Sequence, residues 1–466
     1  MHPLSPGPAA TGSAIAAPDR RMFLRHAASA GAALLLPRGP LAFADAPPDY
    51  TLEIAEIDWE IAPKKKIRTA AYNGQIPGPL LRMTEGRPVT IDIVNRLTHP
   101  EIVHWHGQWI PPEVDGAMEE GTPMIPPGGR TRITFTPRPS GLHWYHTHAS
   151  AGHDLKQGLY TGQFGMVWVE PRANPGSYDE QHFLALHEWE PYAASSDDGS
   201  MEIRYAHGTI NGHKLGSGEP IRVRQGQRVL FHILNASATL THWLALPGHT
   251  FQVIALDGRP VPTRASVPAL RLGPAERVSC IVEMNHPGVW TLGEAAGSLR
   301  SAGMGIVVEY AGQSGTPRWN ELDALVWDYR VFGDAIPVSY KADVAVPLVF
   351  SSKFEGHGGM DRWLINGKSF PESDPVILQR GRRHRLIFDN RSKDDHPVHL
   401  HRHAFELVSM QGAPTSGIHK DVVIVKANSR VEADLVADNP GLSLFHCHQQ
   451  DHMDAGFMTL FQYAAI

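Results

Sequence analysis

Short alternations of apolar and polar residues recur along this chain. Val89-Thr90-Ile91-Asp92-Ile93, Val229-Leu230-Phe231-His232-Ile233 and Leu386-Ile387-Phe388 each sit between turn-forming residues. This pattern predicts strands, because a strand sends successive side chains to opposite faces. The three segments share one frame. Each lies between a glycine and an asparagine nine residues apart, Gly86 to Asn95, Gly226 to Asn235 and Gly381 to Asn390. Each follows an Asn-Gly turn signal, at Asn73-Gly74, Asn211-Gly212 and Asn366-Gly367. A unit repeated three times predicts an all-β chain of three consecutive β-sandwich domains. Their expected spans are 47–172, 173–313 and 314–466.

Composition narrows the class. The 38 prolines and 44 glycines suit a turn-rich β protein, and a net charge of -6 with 19% charged residues gives no polyanion-binding face, so no nucleic-acid partner is expected. Two cysteines against 27 histidines exclude a four-cysteine zinc site. Cys280 lies in the alternating strand Val278-Ser279-Cys280-Ile281-Val282 and reads as a small buried hydrophobe. Cys447 reads as unpaired. Residues 1–46 read as an export signal: Arg20-Arg21-Met22-Phe23-Leu24 is a twin-arginine pattern, and the apolar run from Ala27 to Leu36 is too short to span a bilayer. The expected partner is therefore the twin-arginine export machinery, the expected location periplasmic or secreted, and no stable membrane insertion is expected.

The chemistry concentrates in histidine pairs. The first repeat carries His104-Trp105-His106 and His146-Thr147-His148; the third carries His399-Leu400-His401 and His446-Cys447-His448. A glycine precedes each closing triplet by five residues, at Gly141 and Gly441, and in the middle repeat Gly288 precedes Gly293-Glu294-Ala295. The middle repeat also reads His242-Trp243-Leu244-Ala245-Leu246-Pro247 where the third has His396 to His401. It keeps the scaffold without the pairs, so His242 and His249 read as core or surface residues. Eight paired imidazoles suit a cluster of copper ions, and the first and third domains must face each other to assemble it. On the strand around Cys447 the flanking histidines point one way and the cysteine the other, so Cys447 bridges two metal sites, with His452 able to return to the cysteine's side.

With these four motifs in this order, the chain from about residue 50 onward resembles the multicopper oxidases, in their three-domain laccase-like branch. The resemblance implies cupredoxin domains and four copper ions, one type 1, one type 2 and two type 3. It implies His396, Cys447 and His452 as type 1 ligands and His104 and His399 as type 2 ligands. His106, His146, His148, His401, His446 and His448 match the type 3 pair, and His403 aligns with a family histidine that is not a ligand. It further implies that a small reducing substrate gives single electrons to the type 1 copper, through the edge of His396 or His452, and that dioxygen is reduced to water at the trinuclear cluster. Asp115 resembles the family carboxylate that orients cluster water and relays protons. The family's second carboxylate position holds Met453, with Asp451 and Asp454 as local substitutes.

Two further positions depart from the family pattern. Phe457 stands at the axial position, where it cannot coordinate and implies a raised potential; a slip of one residue would instead bring Met458 there. Arg402 replaces a glycine. For the donor, a phenol or aromatic amine is expected. The alternative is a metal ion, Cu(I), Fe(II) or Mn(II): the segment 354–363 has one methionine, which argues against a soft-metal relay, while Glu355 and Asp361 could serve a hard ion. A copper-free structural relative should have lost its ligands, whereas here ten histidines and the cysteine remain. A monomer is expected.

Overall fold

The structure, a computed structural model, describes residues 47–171, 177–195, 201–354 and 361–464. The twin-arginine segment and Glu355 lie outside the described residues. The described residues from 48 onward form one compact unit, and no helix among them is long and apolar enough to cross a membrane. The fold is nearly all β. Among the described residues six sheets follow one another in pairs: two four-stranded sheets, then one of seven strands and one of five, then one of six and one of five.

The repeat is visible in hydrogen bonds as well as in spacing. Asn73, Asn211 and Asn366 take positive φ of 51°, 52° and 52°, followed by Gly74, Gly212 and Gly367 at 69°, 76° and 79°. This is the backbone an Asn-Gly hairpin turn requires. Each of these asparagine side chains accepts a bond from the strand alongside, from Glu53, Ala185 and Val349 backbone N–H respectively. The second repeated asparagine acts on the segment that leads to the metal motifs. Asn95, Asn235 and Asn390 accept at 2.9 Å from the N–H two residues ahead. Each donates at 2.8 Å to the carbonyl of His99, Leu240 or Asp394. All three are buried, and such satisfied buried amides fix a loop in one conformation. The clamped loops deliver the strands Val103–His106, His242–Ala245 and His396–Leu400.

Those strands pair antiparallel with Gly141–Thr147, Val289–Glu294 and Ser443–Cys447 in one register: Val103 lies opposite Thr147, Leu244 opposite Glu294 and Val398 opposite Cys447. Thr147, Glu294 and Cys447 are therefore structural equivalents, as are the residues two before each partner, Glu101, His242 and His396.

Candidate metal centres

Strand alternation sorts the triplet 446–448 as its sequence suggests. His446 and His448 join His104, His106, His146, His148, His399 and His401 in a single buried cluster drawn from the first and third repeats. Two ring pairs stack across that boundary, His104 on His401 at 3.9 Å between centroids and His106 on His399 at 3.8 Å. Sets of three donor atoms that lie within 4.8 Å of one another include His104–His106–His146, His104–His399–His401 and His148–His401–His446.

One nitrogen of most of these rings is occupied. Nδ1–H of His104 donates to the Asp115 carbonyl, of His146 to Thr147, of His399 to Asp421 and of His446 to Cys447, each at 2.8 Å. His401 Nδ1 lies 2.8 Å from Asp115 Oδ2, and His106 Nε2 lies 3.2 Å from Asp421 Oδ1. The opposite nitrogens are left over. Buried and without a hydrogen-bond partner among the described residues are His104 Nε2, His106 Nδ1, His146 Nε2, His148 Nε2, His399 Nε2 and both nitrogens of His448. His401 and His446 turn Nε2 to Nε2 at 3.1 Å. Buried polar atoms are rarely left unpaired, and rings held by one nitrogen with the other directed into a shared space fit a metal site. Burial is the first cause that holds His106, His146, His399, His401, His446 and His448 well below the usual imidazole range, and His148 down to about 3. Neutral imidazole is the form that ligates.

On the other face of the strand, Cys447 Sγ lies 3.7 Å from His396 Nδ1 and 3.6 Å from His452 Nδ1, and these two nitrogens are 3.2 Å apart. One thiol and two imidazoles in a triangle are the donor set of a blue copper site. The short helix Gln450–Asp454 turns the chain back so that His452 reaches the cysteine. Phe457 is fully buried with its ring edge-on to His396 at 4.6 Å. Met458 stands opposite His446 in the sheet register, on the face away from the sulfur. His396 is fully buried and its Nε2 meets Ser392 Oγ at 2.8 Å. His452 retains 7% exposure, and Trp363 covers its ring at 4.1 Å between centroids.

The equivalent slots of the other repeats are closed by hydrogen bonds. In the first, Thr147 Oγ1 donates to Glu101 at 2.8 Å. In the second, His242 is held between Glu294, 2.8 Å from Nδ1, and Glu188, 2.5 Å from Nε2. Burial alone would lower His242, but the two carboxylates outweigh it and raise the imidazole to about 10. The second repeat thus carries an imidazole caged by two carboxylates where the third carries a triangle of one thiol and two imidazoles.

Asp115 is fully buried and its Oδ2 faces both His401 and His104, at 2.8 and 3.2 Å. Gly116, at φ +96°, allows this approach: a Cβ there would collide with the Val103 carbonyl and His104 Cα. Among the described residues no hydrogen bond or ion pair joins Asp451 or Asp454 to a cluster histidine. Asp454 instead accepts from Ser150 Oγ and from the N–H groups of Ala151 and Gly152. The second carboxyl at the cluster is Glu120, which was not legible in the sequence. Its Oε1 lies 3.3 Å from His401 Nδ1. Burial, then Asp115 beside it, pushes Glu120 well above the usual carboxylate range. Asp421 was also missed. It is bound by Arg277 at 2.6 and 2.7 Å in a fully buried pair while it holds His106 and His399. The available signal was a charge at the head of an apolar run, Asp421 before Val422-Val423-Ile424-Val425. Arg402 is buried at φ +61° and donates to the carbonyls of Ile110, Leu442 and Pro440 and to Ser443 Oγ.

Three family models, each described as multicopper oxidase, match residues 53–174, 182–303 and 345–465. The multicopper oxidase MmcO of Mycobacterium tuberculosis is 30% identical over 85% of this chain and 83% of its own. Two solved structures share the fold. Fet3p, described as a multicopper oxidase that functions in iron import, has a TM-score of 0.76 at 18% identity, covering 89% of this chain and 90% of its own. A laccase from Botrytis aclada has a TM-score of 0.75 at 21% identity, covering 88% and 87%.

Proposed function

The chain belongs to the multicopper oxidase family, and from that premise we propose that it is a laccase-like enzyme that oxidises phenolic or aromatic-amine donors and reduces dioxygen to water. In this reading His396, Cys447 and His452 hold a type 1 copper and His104 and His399 a type 2 copper. His106, His146, His148, His401, His446 and His448 hold the type 3 pair. Bound there, copper supplies one-electron acceptance at the cysteine site and four-electron reduction of dioxygen at the histidine cluster. The protein's own part is positional. Cys447 is joined covalently to a cluster histidine on each side, His446 and His448.

Donors meet His452. It is the one residue of the triangle with any exposure, while His396 and Cys447 have none. Trp363, itself buried, packs on the ring and fixes its orientation. The observation that carries the reading is the apolar side chain beside the triangle: Phe457 is packed on His396 while Met458 faces the other way. With Phe457 in place of a thioether, copper held by His396, Cys447 and His452 would favour the cuprous state, which suits phenols. At the cluster, Asp115 orients His401 and His104 and relays protons for the dioxygen chemistry. We also assign the domain limits near 172 and 314, and export by the twin-arginine route to the periplasm or beyond.

A second reading, oxidation of Fe(II) or Mn(II), draws on Asp394 and Asp361, whose charges both act on His452. Oxygen uptake by the copper-loaded protein with a methoxyphenol, Cu(I), Fe(II) and Mn(II) compared side by side separates the two. Turnover with the phenol is expected; turnover with metal ions alone would overturn the proposal.

A further inference from the structure

Glu120 does more than sit beside Asp115. It ends the single helical turn Met118–Glu120 of the first repeat, and its Oε1 accepts from the Leu444 backbone N–H at 2.5 Å. Leu444 lies in the strand that carries His446, two residues ahead, and the Leu444 carbonyl accepts from the His401 N–H at 2.9 Å. The same Oε1 lies 3.3 Å from His401 Nδ1. A ring therefore closes from Glu120 to Leu444, to His401 and back to Glu120, spanning two repeats through residues more than three hundred positions apart in sequence. Glu120 is 4% exposed and Leu444 not at all.

Arg402 completes the arrangement. Its guanidinium spans from Ile110 in the first repeat to Leu442 and Ser443 in the third, next to Leu444, and its charge acts on Glu120. A buried cation with carbonyl partners supports a buried carboxyl that would otherwise be costly.

We propose that Glu120 is a positioning residue of the trinuclear centre. It locks the strand of His446 and the ring of His401 against the first repeat by the reach of its side chain, with Arg402 as its support. The inference rests on the copper reading above. What matters is a side chain of this length that accepts from Leu444 and meets Asp115, and glutamine satisfies both requirements: its carbonyl accepts and its amide donates. Aspartate keeps the charge and falls one methylene short.

The test compares Glu120→Gln with Glu120→Asp in the copper-loaded full chain. The readouts are copper stoichiometry, the near-ultraviolet absorption of the coupled copper pair, the paramagnetic type 2 signal and the blue absorption of the type 1 site. Glu120→Gln is expected to match the parent in all four. Glu120→Asp is expected to keep the blue absorption while cluster copper affinity and turnover fall by about tenfold or more, the usual range for a lost partner of a metal ligand. Full cluster spectra in Glu120→Asp would overturn the proposal. So would a damaged or unfolded Glu120→Gln, since its reach is unchanged and only charge and acidity differ. A parent protein with no blue absorption would instead overturn the copper reading itself.

Discussion

Replacing Arg277 with methionine tests how far the buried ion network supports the cluster. Arg277 binds Asp421 through both terminal nitrogens, at 2.6 and 2.7 Å, and donates to the Ala275 carbonyl at 3.0 Å. All of this occurs at zero exposure. Methionine fills much of the volume and leaves the Asp421 carboxylate buried without its cation, a loss of about 3–5 kcal/mol. The lower half of that range is expected, because Lys420 still faces Asp257 at 3.0 Å and Asp257 still accepts from the Asp421 N–H. In Arg277→Met/Asp421→Asn the orphaned charge is absent. The double variant should therefore be less destabilised than the two single changes combined, by about 2 kcal/mol. Urea unfolding of the metal-free protein measures this, with Trp144, packed on His146 at 4.0 Å, as a fluorescent reporter near the cluster. A loss below about 1 kcal/mol for the single variant, or strict additivity in the double, would refute the account of Asp421 as a charge held by Arg277.

Three further outcomes follow from the same geometry. Cys447→Ser should lose blue colour and turnover together while retaining cluster copper, as read by metal analysis and absorption; continued oxidation of phenols would break the proposed electron path. Phe457→Met should lower the potential of the type 1 centre, since the thioether would stand beside His396 and favour the oxidised metal; a redox titration that finds no fall would show that position 457 is not axial. For His242, the folded imidazole at about 10 lies above its ordinary 6.5, so its contribution is complete below pH 6.5 and is lost as pH rises through 10. Thermal unfolding scans should show that alkaline decline, and His242→Asn should flatten it.

What could be read in the sequence was whatever repeats locally. Asn-Gly turns, the Gly-to-Asn interval and the four paired histidines each obey a short-range rule of turn or strand geometry. The loop clamps of Asn95, Asn235 and Asn390 then gave the three spacings a physical cause. What stayed hidden acts across repeats. Glu120 reaches Leu444, Asp115 reaches His401 and Arg277 reaches Asp421, and no periodicity reports such contacts. Asp115 could be anticipated only from the resemblance, and the same resemblance drew attention to Asp451 and Asp454, which are placed elsewhere. Arg402 was visible as a departure without a consequence; its role depends on carbonyls that only the folded loop 439–443 presents.

The most direct measurement is the ratio of donor oxidised to dioxygen consumed by the copper-loaded protein, with peroxide assayed in parallel. The proposed reading, in which single electrons enter beside His452 and leave in fours at the histidine cluster, predicts four one-electron oxidations per dioxygen and no peroxide. Two oxidations per dioxygen with matching peroxide would contradict the claim that the eight histidines act as one centre.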